Sequence, residues 1–237
     1  MNREIVVLGF PKCGTSALAR ELGKKADVEV LTAPNGSLEY TWPLFREQPE
    51  QSDPHTVRAH KYTAYIYNDA ALRFLAKTLP NSIFVVCVRQ SEKSLISWHR
   101  MHQDIAVSGR NKEHFAYKER DFYATCSVSQ YYEHFAKNRL RYDEYVRNLT
   151  AIVPSKNVVV VSQERLSQSL SGIANVLVDL ASGRAVDADA KMEKESIHVS
   201  YAEKSPQSIP AEIIAELRDV DKRLQNLILQ TDFLKFT

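Results

Sequence analysis

The chain is short of cysteine, short of glycine and nearly without net charge. Its three cysteines, Cys13, Cys87 and Cys126, are odd in number and show neither CxxC nor CxxxC spacing. That excludes a disulfide framework and a cysteine-based zinc site. Seven glycines and nine prolines in 237 residues exclude collagen-like and low-complexity classes. Lys plus Arg total 31 against 29 Asp plus Glu, a net charge of +2. Counterion-release binding wants a basic excess or a basic stripe, so no nucleic-acid partner is expected. A few local cations still suffice for a small anionic ligand. No apolar run approaches the ~18 residues of a membrane span. The run Ile5 to Phe10 is also too short for a secretory signal and leads into Pro11-Lys12 rather than a cleavage site. These absences give the expectation of a reduced, cytoplasmic protein with no membrane span.

Apolar residues make up 44% and charged residues 25% of the chain, enough to bury a sizeable core. The length suits one large domain, and no repeat or linker divides it, so residues 1–237 are expected to form a single domain. Four short runs rich in Val and Ile read as buried strands: Ile5 to Phe10, Val28 to Leu31, Ile83 to Val88 and Val158 to Val161; Val57 to Lys61 is a fifth. Helical periodicity covers Thr15 to Lys25, Asn68 to Lys77, Glu92 to Ala106, Val128 to Ile152, Leu166 to Leu180 and Ala211 to Gln230. Continuous apolar strands alternating with helices predict a single doubly wound parallel α/β sheet flanked by helices. Three long connections, Thr32 to Thr56, Ser108 to Thr125 and Ser182 to Pro210, are expected over the carboxyl edge of the sheet, where open α/β sheets bind ligands.

The first strand runs into Gly9-Phe10-Pro11-Lys12-Cys13-Gly14-Thr15-Ser16, and a helix begins. A strand, a glycine-containing loop and a helix start together hold phosphate, because loop amides and the unsatisfied amides of the first helical turn converge on an anion. Lys12 adds a mobile charge, and Thr15 and Ser16 add hydroxyls. A nucleotide triphosphatase loop has lysine directly after its second glycine; here Thr15 stands at that place and the lysine lies inside the loop.

The order Pro-Lys-x-Gly-Thr-[ST] over Pro11 to Ser16 resembles the 5′-phosphosulfate loop of sulfotransferases, which use 3′-phosphoadenosine 5′-phosphosulfate (PAPS). Those enzymes carry, at a later strand end, an arginine followed eight residues on by a serine that grips the 3′-phosphate. Here the strand Ile83 to Val88 ends in Arg89, and Ser97 stands eight residues on, with Ser94 a second hydroxyl candidate and Ser91 the expected N-cap. Arg58-Ala-His60-Lys61-Tyr-Thr-Ala-Tyr65 resembles the Glu-Lys-[ST]-Pro-x-Tyr segment of the heparan-type carbohydrate sulfotransferases, with His60 at their catalytic carboxylate and Lys61 at their lysine. Val158 to Leu166 is similar to their late strand and Tyr-Glu-x-Leu segment.

The resemblance implies a P-loop-like sulfotransferase fold and sulfuryl transfer from PAPS to a hydroxyl or amino group of a small-molecule or glycan acceptor, leaving adenosine 3′,5′-bisphosphate and using no metal. It implies His60 as general base, Lys12 beside the bridging oxygen, Lys61 assisting, and Pro11, Lys12, Cys13, Gly14, Thr15, Ser16, Arg89 and Ser97 around the donor. A tyrosyl-peptide or small phenol acceptor is the alternative within the class. A P-loop small-molecule kinase and a nucleotide-binding module without transfer are the readings outside it.

Overall fold

In a computed structural model, residues 4–39, 56–109, 111–184, 209–231 and 233–236 are described. Most of the expected connections Thr32 to Thr56 and Ser182 to Pro210 lies outside them. Among the described residues six strands form one sheet, in the order β2-β3-β1-β4-β5-β6, and every pairing is parallel. They are β1 Ile5–Gly9, β2 Val28–Val30, β3 Val57–Lys61, β4 Ile83–Val88, β5 Val158–Ser162 and β6 Leu234–Phe236. The central strands β1 and β4 are buried along their whole length, as continuous apolar runs covered on both faces must be, and β3 is buried throughout although it carries Arg58, His60 and Lys61. The short β6 carries too few residues to show a pattern in the sequence.

The helices are α1 Thr15–Leu22, α2 Asp69–Thr78, α3 Ser91–Ser108, α4 Phe115–Lys118, α5 Arg120–Tyr123, α6 Val128–Tyr131, α7 Tyr142–Ile152, α8 Gln163–Gln168, α9 Leu170–Ala181 and α10 Ala211–Gln230. On one face α1 packs on α9; on the other, α10 packs on α7 and α3, and α2 on α7. Right-handed crossovers account for α1 on one face and α2, α3, α7 and α10 on the other, since the chain first steps from β1 toward β2 and later from β3 across to β4, β5 and β6; α9, in the β5–β6 connection, lies against α1 instead.

Two expected helices are broken. The pattern Val128 to Ile152 is interrupted by a π-helical turn, Tyr132–Ala136, and a non-helical stretch over 137–141; Tyr142, which starts α7, stacks on Phe10 at 3.8 Å. The pattern Leu166 to Leu180 divides at the buried Ser169, whose φ of −153° is not helical. The expected loop Ser108 to Thr125 holds the one-turn helices α4 and α5. After β3 a 3₁₀ turn, Thr63–Tyr67, brings Tyr65 into the core.

Candidate active site

Gly9 ends β1 with φ +106°, and an added Cβ would lie 2.5 Å from the backbone nitrogen of Cys87 on β4. Glycine is required for this close approach, and the amide of Phe10 then donates to the Cys87 carbonyl at 3.2 Å. Lys12 takes a left-handed conformation (φ +69°), uncommon for a residue with a side chain, and Gly14 follows at +87° as the N-cap of α1. The loop folds back on itself through Cys13 N–H to the Phe10 carbonyl at 3.2 Å. Its turned backbone and the first-turn amides of α1, at Thr15 and Ser16, have the geometry of an anion-binding concavity. Pro11, Lys12 and Ser16 are half-buried, whereas Thr15 and Cys13 are buried. Burial pushes the Cys13 thiol up to about 12, which holds it in the protonated form.

Arg89 reaches this loop. Its Nη1 donates to the Lys12 carbonyl at 3.3 Å, across 77 residues of sequence. Its Nε is buried and has no hydrogen-bond partner among the described residues. A buried guanidinium N–H left unpaired costs ~1–3 kcal/mol, which a phosphate oxygen would recover. Ser94, on the helix that leaves Arg89, is buried with its Oγ 3.9 Å from Cys13 Sγ. Ser97 lies one turn further along the same face and is half-buried. The structure therefore brings Lys12, Gly14, Thr15, Ser16, Arg89 and the two serines to one edge of the sheet. Ser91 does not cap α3 as expected; Asp221 of α10 does, accepting from Ser91 N–H at 3.1 Å and from its Oγ at 2.6 Å.

His60 and Lys61 part company because successive strand residues face opposite ways. Lys61 is buried at the carboxyl end of β3 and forms an ion pair with Glu39, whose backbone bridges to the same residue. The second carboxylate oxygen of Glu39 is buried with no hydrogen-bond partner among the described residues. His60 pairs in register with Val6, three residues short of Gly9, which is roughly 10 Å along the strand at ~3.3 Å per residue. Its side chain has 0% exposure, and its Nε2 lies 3.6 Å from Glu4 Oε2, toward the amino edge. Burial pushes His60 down to about 3 and Glu4 up to about 7. The sequence put this imidazole at the reacting centre; the structure puts it inside the sheet layer, below the ~2.6–3.2 Å reach that proton abstraction at the loop demands.

Sequence reasoning missed the far wall. His102 of α3 is buried, and Tyr131 Oη lies 2.9 Å from its Nδ1. Burial, His114, Arg139, His99 and Lys12 together push it down to about 3. Half-buried Tyr67 packs edge-on against Tyr145 at 4.7 Å and against Phe10 at 6.0 Å, and its hydroxyl donates to the Arg139 carbonyl at 3.4 Å. The Arg139 guanidinium lies 4.1 Å from the Phe135 ring centroid. Nothing in the helical period of α3 marks His102, since its partners come from the connection after Gly109. No group of His, Cys, Asp and Glu among the described residues could hold a metal ion.

No protein-family model and no curated protein matches the sequence. The fold does have a solved counterpart: the crystal structure of a sulfotransferase from Alicyclobacillus acidocaldarius matches with a TM-score of 0.62, over 96% of this chain and 96% of that one, at 17% identity. The chain has a sulfotransferase fold. At that identity the likeness is one of architecture. Among the described residues no helix is long and apolar enough to cross a membrane.

Proposed function

We propose that the chain is a PAPS-dependent sulfotransferase acting on a hydroxyl or amino group of a carbohydrate-type acceptor. The observation that carries the reading is the meeting of the Arg89 guanidinium with the Lys12 carbonyl at 3.3 Å, its Nε buried and without a partner among the described residues. A loop for one phosphate and a cationic fork for another, that close together, suit a bisphosphorylated nucleoside better than a triphosphate. The place of Lys12 inside the loop, with Thr15 where a triphosphatase has its lysine, favours the same choice.

In this reading the α1 amides and the Thr15 and Ser16 hydroxyls hold the 5′-phosphosulfate. Arg89, with Ser94 and Ser97, holds the 3′-phosphate. Transfer is an in-line displacement: a bond forms from the acceptor oxygen or nitrogen to sulfur, the bond from sulfur to the bridging oxygen breaks, and adenosine 3′,5′-bisphosphate leaves. Lys12 neutralises the leaving oxygen, with Lys61 behind it. The acceptor proton passes to Glu39, the carboxylate held against Lys61 at the carboxyl edge, in place of His60. Such proton removal is worth ~10² to 10⁴ in rate.

The half-buried rings of Tyr67, Tyr145 and Phe135, with Arg139 beside them, support a ring-shaped acceptor carrying an anionic group. The density of these rings also favours a small phenol as a second reading. Thermal shift with adenosine 3′,5′-bisphosphate and, in parallel, ATP with magnesium tests the donor site. A ligand at 100 times its dissociation constant stabilises by ~2.7 kcal/mol, and only the bisphosphate is expected to do so. Folded protein that ignores millimolar bisphosphate refutes the reading. Sulfate transfer from labelled PAPS to a panel of oligosaccharides and phenols decides the acceptor.

A further inference from the structure

The amino end of α3 is closed by a residue from the far end of the chain. Asp221 of α10 accepts from Ser91 N–H through both carboxylate oxygens, at 3.2 and 3.1 Å, and from Ser91 Oγ at 2.6 Å. Ser91 is fully buried and follows Arg89 by two residues, with Gln90 extended between them (φ −51°, ψ 127°). The cap therefore fixes the Gln90–Ser91 peptide, one residue beyond the one that carries the Arg89 side chain. On the same helix, Arg223 Nε donates to Asp143 Oδ2 at 2.7 Å, and Asp143 is buried. Asp143 adjoins Tyr142, whose ring stacks on Phe10 in the loop at 3.8 Å. A third tie joins Arg218 Nε to Glu92 Oε1 at 2.8 Å. One helix thus holds both flanks of the phosphate loop: the α3 start that carries Arg89, and the α7 start that backs Phe10.

We propose that α10 is a clasp on the donor site and that Asp221 is a positioning residue for Arg89, acting through Ser91. This rests on the reading that Arg89 binds the donor's 3′-phosphate. Geometry and charge pull apart here. A carboxylate beside a phosphate site repels the ligand, so if charge governed, neutralising Asp221 would tighten binding. If position governs, any side chain that still presents an oxygen to Ser91 keeps affinity, and one that does not loses it. Asparagine caps helices as well as aspartate does, whereas alanine does not.

The experiment measures the dissociation constant of adenosine 3′,5′-bisphosphate by calorimetry, and KM for PAPS with kcat, on the full chain. Asp221→Ala is expected to weaken bisphosphate binding and raise KM about five- to tenfold, with kcat changed less than about threefold. Asp221→Asn is expected to stay within about twofold of wild type in affinity. Should Asp221→Ala fold poorly, Ser91→Ala removes the hydroxyl half of the contact, keeps the N–H, and is expected to show a smaller weakening of the same kind. Unchanged affinity in Asp221→Ala with a lowered melting temperature reduces Asp221 to a structural cap and overturns the proposal. So does equal loss in the Asn and Ala variants, or tighter binding in both. Failure of the donor reading itself looks different, because folded wild-type protein then binds no bisphosphate at all.

Discussion

Replacing Gly9 by alanine tests whether the phosphate loop is set by backbone contact between β1 and β4. The new Cβ would stand 2.5 Å from Cys87 N and 2.6 Å from Cys87 O, distances that no packed Cβ tolerates, and both neighbours are strand backbone that cannot swing away. Left-handed φ costs a residue with a side chain ~1–2 kcal/mol, and overpacking against an immobile wall adds ~1–3 kcal/mol. The sum, ~2–5 kcal/mol, is a large part of a typical stability of ~5–15 kcal/mol. For a chain of this size it lowers the melting temperature by roughly 4–20 °C. Gly36→Ala is the control: its φ of +75° carries the same kind of conformational cost, but nothing lies within 4 Å of the added atom. Urea unfolding of both variants separates the two contributions. If Gly9→Ala is no less stable than Gly36→Ala, the contact with Cys87 does not shape the loop and the argument fails.

Arg89→Ala is expected to weaken adenosine 3′,5′-bisphosphate binding by at least about tenfold, and Arg89→Lys to recover only part of it, since lysine keeps the charge without the planar fork; full recovery by lysine in calorimetry would contradict bidentate contact. Glu39→Gln is expected to lower kcat by about 10² or more with bisphosphate affinity unchanged, and wild-type turnover in a PAPS assay would remove Glu39 as proton acceptor. His60→Gln is expected to retain turnover and to change the pH dependence of stability instead. Between pH 4.5 and 6.5 the unfolded chain holds a proton on His60 and the folded chain holds one on Glu4, so two opposite slopes of ~1.4 kcal/mol per pH unit cancel. Glu4→Gln uncovers the His60 slope, with stability present above pH 6.5 and lost by about 2–3 kcal/mol as pH falls to 4.5. His60→Gln uncovers the Glu4 slope, with stability present below pH 4.5 and lost as pH rises to about 7. Urea midpoints at pH 4.5, 5.5 and 6.5 check all three proteins, and identical profiles would show that the pair is not coupled to folding.

The sheet and the loop were legible because they rest on local pattern. Val and Ile runs mark β1, β4 and β5, and the glycines at 9 and 14 mark the turn between strand and helix. Arg89 was legible for a similar reason, standing where β4 must end. His60 misled because its spacing is that of a base, while its direction depends on strand parity and on a neighbour, Glu4, that only the β1–β3 register supplies. Glu39 beside Lys61 and Asp221 on Ser91 are contacts across 22 and 130 residues, and no periodicity in either segment encodes them. The break in the Val128 to Ile152 pattern was equally silent, since the residues of the non-helical stretch 137–141 include neither Gly nor Pro.

The pairing of Val159 with Leu234 leaves the rim of the sheet waiting for residues made 75 positions later. At ~5–20 residues per second of synthesis, that is roughly 4–15 s during which β5 presents an unpaired row of amides and carbonyls on a run of four valines. A nascent chain stalled before β6 would therefore display an adhesive strand, and its self-association, rather than its catalysis, would be the first property to suffer from truncation at that end.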